Sequence, residues 1–96
     1  MATFITLVSF TEQGARNIKE SPNRAEAFQA TAAKLGAQVK SIYWTNGKYD
    51  VIVTLEGPEE AVMAAVAATA SAGNVRTQTL RAFDASEMKK ILSKLP

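Results

Sequence analysis

Cysteine and histidine are both missing from this 96-residue sequence. Without thiols there can be no disulfides, thiolate nucleophiles or zinc–thiolate sites. Without imidazole the chain loses the commonest metal ligand and the side chain best suited to proton transfer near neutrality. Carboxylates, Lys and Tyr are left for any chemistry, and no cofactor is expected. Proline is confined to Pro22, Pro58 and Pro96, so no linker divides the chain and residues 1–96 read as one domain. Eleven basic residues face nine acidic ones, spread with no dense run, and a nucleic-acid partner is not implied. No stretch approaches the roughly 20 apolar residues that span a bilayer. The opening residues alternate apolar side chains with Thr where a signal peptide would run unbroken. A cytoplasmic protein without a membrane partner is expected.

What is present is hydrophobic periodicity of two kinds. Residues 2–10 and 75–83 read as strands flanking the chain, and 42–55 as a hairpin. Thr11 can cap a short helix through Lys19. Ser21-Pro22 then opens a longer one as N-cap and first helical residue. Its stripe Ala25, Phe28, Ala32 and Leu35 ends at Gly36. Gly57-Pro58-Glu59-Glu60 starts a second long helix with Pro at its first position, carboxylates at the positive end of the dipole, and Val62, Met63 and Val66 as its stripe. Asp84 and Glu87 resemble a capping box before a terminal amphipathic helix carrying Met88, Ile91, Leu92 and Leu95.

The order βαββαβ plus a terminal helix is the split βαβ arrangement of an α+β, ferredoxin-like sandwich. Right-handed crossovers place both long helices on one side of an antiparallel sheet of order 4-1-3-2. The other side is then bare. Yet the expected central strands are apolar on both parities, Phe4, Val8 and Phe10 against Ile5 and Leu7, and Val51, Val53 and Leu55 against Ile52. Each large aliphatic is worth about 1.5–3 kcal/mol when buried, so a second copy of the chain is expected to cover that face, as in dimeric αβ-barrels.

Asn46-Gly47 is the strongest short hairpin signal, and a two-residue type I′ turn there would pair Thr45 with Lys48, Trp44 with Tyr49, Tyr43 with Asp50 and Ile42 with Val51. Trp44 and Tyr49 then join the helix side, as core or as a ligand wall. Asp50 comes beside Tyr43 on the open face, the one carboxylate in a plausible pocket. A ligand-orienting role, a structural bond to Arg76 or Arg81, or simple exposure are all open to it. Arg76 and Arg81 are five apart and take opposite faces, so at most one lines a pocket on the open side.

Gly47-Lys48-Tyr49-Asp50 followed by Val-Ile-Val and an acidic-Pro helix start resembles the GYD domain family of small bacterial proteins. The segments 3–11, 43–45 and, above all, 73–83 resemble it too. Lys48 interrupts the three residues of the family's name. The resemblance implies a ferredoxin-like, oligomeric domain of no established activity. Two functions are expected on these residues. One is a small-molecule binding or sensing module whose pocket, at the subunit contact, uses Tyr43, Trp44, Tyr49, Asp50 and Arg76. The alternative is a cofactor-independent enzyme with Asp50 as base and a Tyr donor. RNA binding fails on residues: the recognition pattern would put Lys48 and Asp50 where stacking aromatics belong.

Overall fold

A computed structural model describes residues 1–96. The strands are β1 (Thr3–Phe10), β2 (Gln38–Trp44), β3 (Val51–Glu56) and β4 (Val75–Ala82); the helices are α1 (Glu12–Arg16), α2 (Ser21–Leu35), α3 (Glu59–Ser71) and α4 (Ala85–Leu92), with a 3₁₀ turn at Ile18–Glu20 before α2. The sheet is antiparallel in the order β2-β3-β1-β4, the expected order read from the other edge. No helix is long and apolar enough to cross a membrane.

Burial in β1 alternates residue by residue, which separates the two faces cleanly. Phe4, Thr6 and Val8 point to α2 and α3, where they meet Val51, Val53 and Leu55 of β3, Phe28 and Ala32 of α2, and Val62, Ala65 and Val66 of α3. The alanines of α3 bring its backbone close to the sheet. Thr6, 2% exposed, is the polar member of this layer, and its hydroxyl is satisfied by the Thr79 hydroxyl at 2.9 Å. In β2 the pairing skips Lys40, with Val39 opposite Leu55 and Ser41 opposite Thr54. This bulge matters because Val39 and Ile42 differ by an odd number; only the extra residue lets both pack against the core.

The hairpin departs from the expected turn. Trp44 pairs with Val51, Tyr43 with Ile52 and Ile42 with Val53, a register two residues further along than the Asn46-Gly47 turn would give. The loop is residues 46–49. A type I′ turn requires positive φ at both central residues, and here only Gly47, at 156°, has it. The longer loop is held by better bonds: Thr45 N–H donates to Asp50 O at 2.9 Å, the Thr45 hydroxyl donates to Tyr49 O at 2.6 Å, and Asp50 N–H donates to Val8 O at 2.8 Å. Because the shift is an even number, Ile42, Trp44, Val51, Val53 and Leu55 keep their expected face. Tyr49 and Asp50 leave the ladder.

Thr11 caps α1, accepting from Gly14 N–H at 3.2 Å. Gly14 is required by proximity, since a Cβ there would lie 1.9 Å from Asn74 O in the α3–β4 loop. Two cap assignments differ by one residue from expectation. Glu20 is the N-cap of α2, with Ser21 its first residue, and Pro58 is the N-cap of α3. The Asp84–Glu87 capping box forms as expected. Beyond it α4 stands away from the body, its Met88, Ile91, Leu92 and Leu95 exposed. The radius of gyration is accordingly 14.6 Å, against about 13 Å for a compact chain of this length.

Candidate functional site

The face of the sheet that the helices leave bare is an ordered array, and the strand registers give its rows. Tyr43, Ile52, Leu7 and Gln78 form one row across all strands, and Ser41, Thr54, Ile5 and Leu80 the next. These two rows put Ile5, Leu7, Ile52 and Leu80 at the middle of the face, with Tyr43, 67% exposed, on the β2 edge. The rows at either end are polar. Thr3 lies between Glu56 and Ala82. At the opposite end Ser9 pairs with Arg76, and one step beyond the β1–β3 pairing Asp50 arrives on the other side of Ser9. The face thus has an apolar centre and polar ends, a layout that protein interfaces share.

The five expected site residues are divided between the two faces. Tyr43 and Arg76 are on the bare one. Tyr49, expected on the helix side, reaches the bare face from the loop and its phenol donates to Gln78 Oε1 at 3.4 Å. Asp50, half-buried, accepts from Phe10 N–H through Oδ2 at 2.8 Å. Its main-chain and side-chain bonds to Val8 and Phe10 tie the hairpin to the end of β1. No ion pair joins it to Arg76 or Arg81. Arg81 is opposite Phe4 on the helix side, stacked on Phe83 with its carbon 4.4 Å from the ring centre, bonded to Thr3 O at 3.2 Å and paired with Glu87 at 3.6 Å. Arg76 is therefore the one of the two that faces the bare surface.

Trp44 lies on the helix side, where a cleft opens between α2, α3 and the sheet. It holds about 300 Å³. Val8, Val51 and Val53 form its floor, Phe28 and Val66 its walls, and Trp44, Ser21 and Arg24 its rim. The indole N–H donates to the Ser21 hydroxyl at 2.9 Å, bridging the end of β2 to the start of α2. Neither Ser21 nor Arg24 was a candidate from sequence. A Ser before Pro at a helix start signals a cap, and only the tertiary approach of Trp44, 23 positions away, gives it another task.

The model of the GYD domain family matches residues 4–92. Over 90 residues the chain is 33% identical to a Thermus thermophilus protein named glutamine synthetase and cystathionine beta-lyase binding protein, an overlap covering 92% of this chain and 95% of the relative.

Proposed function

This chain belongs to the GYD domain family, and we propose that it is a cytoplasmic protein-binding module whose bare sheet face is the recognition surface, covered by a second copy of the chain or by a partner enzyme. The observation that carries the reading is the pair of central rows. Half-buried Ile5, Leu7 and Ile52 and exposed Leu80 are large apolar residues held in register on the face away from the helices. Four strands of six to eight residues present a face of roughly 500 Å² at ordinary strand spacings. A stable complex uses about 800 Å² per partner, and the exposed stripe of α4 supplies further apolar area. The name of the Thermus relative, which specifies binding to two enzymes, supports protein partners of the same kind for this chain.

The test is binding of glutamine synthetase and of cystathionine beta-lyase to immobilised wild-type protein, compared with Leu7→Asp and Ile52→Asp. A charge in the central row is expected to weaken capture at least tenfold while the far-UV spectrum stays native. Undiminished capture by both variants would remove the face from the proposal.

A second reading is favoured by the polar end of the same face. Ser9 is paired with Arg76 there, Asp50 lies one step beyond the β1–β3 pairing, and Tyr49 lies close by through Gln78. Opposite charges and a phenol at the edge of an apolar surface suit a small polar ligand enclosed between copies, and the enzymatic alternative would use Asp50 there as base. Asp50→Asn tests both: unchanged ligand retention and turnover would dismiss them.

A further inference from the structure

The cleft on the helix side lies across the sheet from the surface proposed for protein binding, and what surrounds its mouth differs in kind from its interior. Floor and walls are aliphatic and aromatic, with Val8, Phe28 and Val66 facing the space. At the rim stands Arg24, half-buried. Its guanidinium donates to Asn17 O at 2.9 Å and to Gly14 O at 3.3 Å and lies 5.9 Å from the centre of the Phe10 ring. These partners are neutral. No carboxylate of the chain comes within ion-pair distance of Arg24, and a guanidinium offers five N–H donors, so three remain. Ser21, only 6% exposed, accepts the Trp44 indole proton, which leaves its own O–H to donate.

We infer that this cleft is a binding site for a small apolar carboxylate, its hydrocarbon body against Val8, Phe28 and Val66 and its anionic head on the Arg24 guanidinium beside the Ser21 hydroxyl. The volume of about 300 Å³ is at the lower end of ligand pockets and has room for roughly ten heavy atoms. A desolvated aliphatic body contributes affinity without orientation. The paired charge supplies the orientation, because an arginine fork matches a carboxylate and not a neutral head. The site does not depend on pairing of the bare sheet faces.

Trp44, the sole tryptophan of the chain, stands at the rim and reports occupancy through its emission. Wild-type protein is titrated with octanoate and, separately, with octan-1-ol, which has the same chain and no charge. Octanoate is expected to bind at least tenfold more tightly. Arg24→Gln should abolish that preference, Arg24→Lys should keep most of it, and Val66→Phe, which fills part of the space and leaves Trp44 the sole tryptophan, should weaken the binding of both probes. Equal affinity for the acid and the alcohol would overturn the inference, as would no emission change with octanoate at millimolar concentration. Both of those outcomes are read on the unaltered protein, so they stand even where a variant folds poorly. Octanoate binding to folded Arg24→Gln as tight as to wild type would also overturn it.

Discussion

Replacing Asp50 by alanine removes the acceptor that holds Phe10 N–H at 2.8 Å and leaves a main-chain donor at the end of β1 without a partner. Hydrogen bonds to charged groups contribute about 1.5–3 kcal/mol net. Because Asp50 is half-buried, water replaces part of the loss, and the lower part of that range applies, about 1.5–2 kcal/mol. For a domain of this length each kcal/mol moves the melting midpoint by about 4–8 °C, so Asp50→Ala should melt roughly 6–16 °C below wild type. Asp50→Asn keeps an oxygen facing Phe10 and should lose less than about 1 kcal/mol. Circular dichroism melts of the three proteins give the midpoints, and hydrogen exchange at the Phe10 amide should quicken in the alanine variant only. An alanine variant as stable as wild type, with Phe10 still protected, would refute a structural role for the carboxylate and return it to the ligand or catalytic readings.

Gly14→Ala places a methyl carbon 1.9 Å from Asn74 O, so α1 or the α3–β4 loop must move; a cost of about 2–4 kcal/mol is expected in urea unfolding. The observed hairpin separates two neighbouring substitutions. Asn46→Ala should cost less than about 0.5 kcal/mol because φ there is negative, whereas Gly47→Ala, at 156°, should cost about 1 kcal/mol; the reverse order would restore the two-residue turn. Asp84→Ala breaks the capping box of a helix with no buried residue. Amide exchange across residues 85–92 should quicken by roughly five- to tenfold, as a loss of about 1 kcal/mol requires, while the sheet is unaffected.

The strand order, the two faces and the terminal capping box were all legible because they rest on local periodicity and on residues a few positions apart. The face assignment of Ile42, Trp44, Val51 and Val53 survived a mistaken turn only because the register moved by two. What the sequence did not disclose depends on distant encounters. The hairpin loop is set by Asp50 finding Val8 and Phe10, 42 and 40 positions away, and no turn propensity encodes that. The bulge at Lys40 is fixed by Val39 and Ile42 both seeking the core. The role of Ser21 is fixed by Trp44. Of the candidate site, Tyr43 was placed on the bare face from the hairpin pairing, Tyr49 was assigned to the wrong one because it was read as a strand residue, and the cleft beside Trp44 could not be foreseen since it exists only between packed helices. The choice between Arg76 and Arg81, left open by their spacing, was decided by the β1–β4 register.

The claim on which the functional account rests is that the bare sheet face is buried in solution. Light scattering of the wild-type chain across a dilution series through micromolar concentrations, alone and with glutamine synthetase or cystathionine beta-lyase added, measures this without any variant. An assembly of at least twice the 10.3 kDa chain mass that contains the chain is expected in at least one of these conditions, and a chain running at its single mass in all of them would contradict the claim.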